Sequence, residues 1–137
     1  MPSATLEIGR DVRRAILAHA RAARPRECCG LLVGRGARVL FAVPTPNRAR
    51  GQSRYLVDVR VHLDLQKTLR RFVPSLHVVG AYHSHPNGPA RPSPTDVREA
   101  CDPAWVHLIV GLSTTRPIIR AFRVADGRPE QLRIRPG

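Results

Sequence analysis

Along this chain the apolar residues change their spacing several times, and each change marks an element. Val12, Ala15, Ile16, His19, Ala20 and Ala23 recur at three and four, the spacing that lines one face of an α-helix. Residues 11–23 therefore read as a helix, stopped by Pro25. Residues 4–8 alternate weakly and read as a first strand. Residues 28–33 form a nearly continuous apolar run that ends at Gly34, the pattern of a strand buried on both faces. Residues 38–43 pair with it through the Gly34-Arg35-Gly36 turn. Residues 44–53 are polar, carry Pro and Gly, and read as a loop.

Residues 55–72 fit two periods. Tyr55, Val57, Val59, Val61, Leu63 and Leu65 alternate strictly, as in a strand, whereas Val61, Leu65, Leu69, Phe72 and Val73 follow helical spacing. An eleven-residue strand would be long. The assignment adopted is a strand to about residue 57 and a helix from about 58 to 72, with Pro74 beyond it. That places His62 on an exposed helix face. Residues 76–82 are an apolar strand, and a short helix follows Ser93 to about residue 101. Residues 105–110, 117–124 and 131–134 read as three more strands, separated by Ser-Thr-Thr and Ala-Asp-Gly turns. The expected architecture is α+β: one domain over residues 1–137, with a mixed curved sheet flanked by about three helices.

Length agrees with a single core. No apolar run approaches the ~18–20 residues needed to span a bilayer. The N-terminus lacks the basic and apolar segments of a secretory signal. Cys28, Cys29 and Cys101 make no disulfide framework and lack Cys-x-x-Cys spacing, so they read as small buried residues of a cytoplasmic protein. Charge is the other departure from the ordinary, at +13. Of 23 basic residues only Lys67 is lysine, which points to a coding bias toward arginine. The arginines are scattered from Arg10 to Arg135, aromatics are few, and no nucleic-acid-binding motif accompanies them. A solvated basic surface accounts for this better than a nucleic-acid partner.

Chemistry concentrates between residues 81 and 96. His83 and His85 stand two apart at the end of an apolar strand, so they project from one side while Ser84 faces the other. Pro86, Asn87 and Gly88 then break the strand. Two imidazoles on one face can hold a divalent metal. Catalytic zinc usually takes three protein ligands and leaves a fourth position for water, and the nearest third ligand downstream is Asp96. Ser93-Pro94-Thr95-Asp96 also reads as a helix start, with a serine N-cap, proline at the first helical position and an acid at the third. The two roles are compatible, because a helix start fixes where Asp96 points.

Upstream, Glu27 stands in Glu-Cys-Cys-Gly-Leu-Leu. Together with His-Ser-His-Pro, the seven residues between His85 and Ser93 and the two between Ser93 and Asp96, this tract closely resembles the JAMM/MPN metalloproteases, in particular their bacterial branch. The family order of strands and helices follows nearly the whole chain and favours the split adopted at residue 57. The resemblance implies zinc held by His83, His85 and Asp96, with Glu27 as general base and Ser93 steadying the oxyanion. It also implies a substrate: an amide or isopeptide bond after the Gly-Gly tail of a ubiquitin-like or sulfur-carrier protein. Two other classes share features with the chain. A DNA-processing protein of the RadC type has a similar His-x-His-Pro and Ser-x-x-Asp pattern, but its N-terminal helix-hairpin-helix region is missing here. A catalytically silent MPN scaffold usually loses ligands, and none is missing.

Overall fold

The computed structural model describes residues 4–50 and 55–137. Its elements run β1 (Thr5–Ile8), α1 (Arg10–Ala23), β2 (Cys29–Arg35), β3 (Arg38–Thr45), α2 (Val59–Phe72), β4 (His77–His85), α3 (Pro94–Glu99), β5 (Val106–Gly111), β6 (Ile118–Ala125) and β7 (Arg128–Pro136). The strands close into a barrel in the order β1-β3-β2-β4-β5-β6-β7. Pairing is mixed: β1 runs parallel to both β3 and β7, β4 runs parallel to β5, and the other neighbours are antiparallel. The α+β expectation therefore holds, with three helices among the described residues and a sheet curved to closure.

Local chemistry explains most of the boundaries. The β2–β3 hairpin turns on Gly36, whose φ of 58° lies in the left-handed region that favours glycine. Every residue of β5 is buried, as its apolar run requires for a strand next to parallel β4. The core gathers Leu6, Ile16, Leu32, Tyr82, Leu108 and Leu132, one from each of six elements. Tyr82 brings a hydroxyl inside, and it meets His19 Nδ1 at 2.8 Å, so His19 sits half-buried at the edge of the core. Ala15, on the predicted α1 stripe, is exposed.

Several expectations need correction. The strand expected before α2 is only an isolated bridge, Asn47 to Val57. Asp58 ends it by capping α2, its carboxylate accepting from the Arg60 N–H. His62 is half-buried, because its ring packs against Trp105 with centroids 5.5 Å apart. Strand β4 continues past Tyr82 to His85 because β2 and β5 pair with it on both sides. Helix α3 stops at Glu99, where Ala100 turns to extended geometry ahead of Pro103. Cys101 is exposed, unlike the buried Cys28 and Cys29. Residues 51–53 of the predicted loop, and Met1-Pro2-Ser3, lie outside the described residues.

Candidate metal centre

Three separate stretches meet at the end of β4. Cys29 on β2 is the register partner of His83, so Glu27, two residues before the strand begins, arrives beside the two histidines. Ser84 points to the other face, and its Oγ accepts the Cys28 N–H at 2.9 Å. That bond ties the start of β2 to the end of β4. A second tie holds Glu27 from behind, where its carbonyl accepts from Asn47 Nδ2 at 2.9 Å. The result is that ligand-type atoms of Glu27, His83 and His85 all lie within 4.8 Å of one another.

Asp96 arrives from α3, aimed by the helix start. Ser93 Oγ accepts the Asp96 N–H at 3.1 Å, and Asp96 Oδ2 accepts the Ser93 N–H at 2.8 Å. This reciprocal capping box leaves Asp96 Oδ2 facing His83 Nε2 at 3.2 Å and His85 Nε2 at 3.4 Å. The two Nε2 atoms are 3.1 Å apart. His85 Nδ1 lies 2.8 Å from the Pro89 carbonyl, which can only accept, so Nδ1 carries the hydrogen and neutral His85 keeps its lone pair on Nε2. Two imidazole nitrogens and a carboxylate oxygen thus converge, a nitrogen–oxygen donor set that suits a divalent ion such as zinc. The residues present fit such an ion.

The electrostatics follow from burial and neighbours. His83 is fully buried, and burial holds its imidazole below the ordinary value. Burial also opposes charge on His85, but hydrogen bonding to Asp96 and to the Pro89 carbonyl outweighs it and leaves His85 raised. Asp96 is pushed up by burial and pulled down more strongly by both histidines, so it stays ionised. Glu27 is 7% exposed. Burial is the largest influence on it, raising its carboxyl to about 7 against the lowering effect of His85. Ser93 and Glu27 border one cavity of about 300 Å³, together with Pro25, His85 and Asn87.

All five residues singled out in the sequence therefore come together. Others at the site escaped notice. Tyr55 stacks on the His83 ring, with centroids 4.0 Å apart and planes 15° apart. Its position in an alternating run gave no hint of this, since only the fold brings it over β4. Asn47 holds the Glu27 carbonyl, and its Oδ1 accepts from Ala49 N two residues on, a turn habit that asparagine in a polar loop could have signalled. His107 on β5 is buried, with Nε2 unpartnered among the described residues. Burial and the nearby His83 both lower its pKa.

The family model for prokaryotic homologs of the JAB domain matches residues 9–125. A probable TtuB-protein conjugate cleaving protease from Thermus thermophilus is 38% identical over 124 residues, covering 90% of this chain and 78% of its own. A CysO-cysteine peptidase from Mycobacterium tuberculosis is 34% identical over 125 residues, covering 89% and 84%. The solution structure of a Desulfitobacterium hafniense protein superposes with a TM-score of 0.84 at 33% identity, covering 97% of this chain and 92% of that one. With the fold, the motif spacing and these likenesses in agreement, the chain belongs to the prokaryotic JAB-domain family.

Proposed function

We propose that this protein is a zinc metallopeptidase of JAMM type. It hydrolyses the amide or isopeptide bond that follows the C-terminal Gly-Gly of a ubiquitin-like or sulfur-carrier protein. The observation that carries this is the meeting of Glu27 with the His83–His85–Asp96 cluster. His83, His85 and Asp96 would hold the metal. Zinc, when bound, supplies a water acidified from about 15.7 toward about 7 and a Lewis acid for the scissile carbonyl. Glu27 takes the proton that water loses as its oxygen bonds to the carbonyl carbon, and delivers it to the amine as the C–N bond breaks. Its raised pKa suits a group that must both accept and return a proton near neutrality. Ser93 Oγ accepts a hydrogen bond from the helix start, so its own proton remains free to donate to the developing oxyanion.

The substrate reading is supported by relatives named for cleaving TtuB-protein conjugates and CysO-cysteine. A glycine tail carries no bulk beside its backbone and can lie flat against the approach to the cluster. The proposal places the protein in the cytoplasm, as its three free cysteines suggest, and no helix among the described residues is long and apolar enough to cross a membrane. The test is mass spectrometry of three substrates incubated with the zinc-loaded protein: a carrier conjugate, its terminal Gly→Ala variant and an unrelated peptide. Rapid cleavage of the first alone is expected. Comparable rates on all three would leave a general peptidase, and stoichiometric zinc without hydrolysis would leave a silent scaffold.

A further inference from the structure

Glu27 and Tyr55 reach the metal cluster from two different stretches of chain, and neither residue sits in a helix or a strand. Glu27 lies between α1 and β2, Tyr55 between β3 and α2. Their placement therefore depends on bonds other than those of regular elements. One half-buried side chain, Asn47, supplies them to both stretches.

Asn47 lies just past the end of β3. Its Nδ2 donates to the Glu27 carbonyl at 2.9 Å. Its Oδ1 accepts two main-chain N–H groups, from Ala49 at 3.0 Å and from Leu56 at 3.0 Å. The main chain follows the same path: Asn47 bridges to Val57, and the Arg48 N–H donates to the Leu56 carbonyl at 2.9 Å. On the other side, the Arg26 guanidinium donates to the Ala49 carbonyl at 2.8 Å. Leu56 directly follows Tyr55, whose ring lies flat on His83. One amide thus joins the backbone of the proposed base to the segment that covers a proposed metal ligand.

The partners explain the residue type. A carbonyl can only accept and a main-chain N–H can only donate, so the junction needs a donor and an acceptor together. Asparagine carries both on one short planar group. Aspartate would set an oxygen against the Glu27 carbonyl, and alanine would leave all three partners without it. The bond to Leu56 adds little to the core, since Leu56 is 54% exposed, so its effect falls on the neighbouring Tyr55. We propose that Asn47 is a positioning residue that acts through two others: it sets the reach of Glu27 and seats Tyr55 on His83. This deepens the function proposed above and rests on it.

Two variants separate the two arms, and melting temperature reports that each folds. Asn47→Asp keeps an oxygen for the Ala49 and Leu56 N–H groups and loses only the donor to Glu27. It should lower kcat on a carrier conjugate about 10–100-fold, the scale of a misplaced reacting group, with KM and zinc affinity unchanged. Asn47→Ala loses all three bonds. It should lower kcat as much, weaken zinc in a chelator titration about tenfold, and speed deuterium exchange of the Leu56 amide in the metal-free protein. Double-variant cycles distinguish positioning from general loosening. With Glu27→Gln already present, Asn47→Asp should lower kcat no further, because the group it aims is gone. With Tyr55→Ala already present, Asn47→Ala should weaken zinc no further. Additive losses in either cycle, wild-type kcat in Asn47→Asp, or wild-type zinc affinity in Asn47→Ala would overturn the proposal. If wild type cleaves no conjugate, the proposed function fails, and the role of Asn47 is then decided by zinc affinity and amide exchange alone.

Discussion

Glu27 and His83 are both buried, and burial moves their pKa values in opposite directions. The buried Glu27 carboxyl gives up its proton more reluctantly, raised to about 7, whereas the His83 imidazole is kept neutral. That divergence is what a site needs if one group is to move protons and the other to offer a lone pair. Glu27→Gln keeps the shape and removes the base, so zinc content measured by mass spectrometry should hold while turnover falls about 10²–10⁴-fold. Loss of zinc in this variant would make Glu27 a ligand. Under the proposed mechanism Ser93 would carry two roles through one oxygen, the observed acceptance from Asp96 N and donation of its proton to the oxyanion. Ser93→Asp keeps a good N-cap, so urea unfolding should show much less than the ~1 kcal/mol cost expected of alanine. Turnover should still drop by about 10²-fold, since a donor is replaced by negative charge. A stable and active Ser93→Asp protein would confine the serine to capping.

Elements set how firmly these residues are held. Strand β4 runs parallel to β5, with His85 opposite Gly111, and the chain leaving His85 folds back across that glycine. A Cβ at Gly111 would fall 2.6 Å from Ala90 N and 3.0 Å from the Pro89 carbonyl carbon. These are backbone atoms of the segment that holds His85 Nδ1, so they cannot swing aside as a flexible side chain would. Gly111→Ala should therefore displace the Pro89 carbonyl and weaken zinc binding about 10–100-fold, the usual cost of losing the partner that orients a ligand. Titration against a chelator measures it, and wild-type affinity in that variant would show that Pro89 does not orient His85. Helix α2 illustrates the opposite case, an element tied to the barrel by half-buried residues alone. Its two competing periods were irresolvable locally, because a helix with an exposed apolar flank spreads its apolar residues over both patterns.

Closure of the whole barrel depends on the short strand β1. Glu7 is the register partner of Arg38 on β3 and of Arg135 on β7, and its carboxylate pairs with both guanidinium groups. Hydrogen bonds from Arg38 and then Arg135 are the main reasons its pKa is lowered from the ordinary 4.5. A depressed carboxyl contributes stability that is present above its unfolded value and lost as pH falls through the folded one. Glu7→Gln should thus melt lower than wild type near neutrality, and the gap should close as pH drops below about 4.5. Thermal melts across that range check it, and a gap that persists in acid would assign the effect to packing rather than charge.

Much of this was legible in order along the chain. Helix α1, the β2–β3 hairpin and the capping box at Ser93 are written in short-range spacing, since their hydrogen bonds close locally or across one turn, and the buried β5 shows as a continuous apolar run. The His83–His85 pair and Asp96 could be named as a set because a strand alternates and a helix start aims its third residue. What tertiary structure alone decided lies in partners far apart in sequence. Strand β4 reaches His85 only because β2 and β5 pair with it. Tyr55 covers His83 only because the chain before α2 crosses β4, and His62 meets Trp105 only when α2 is laid against the barrel. A residue's neighbours across a closed sheet follow from strand order and register, and no local period encodes those.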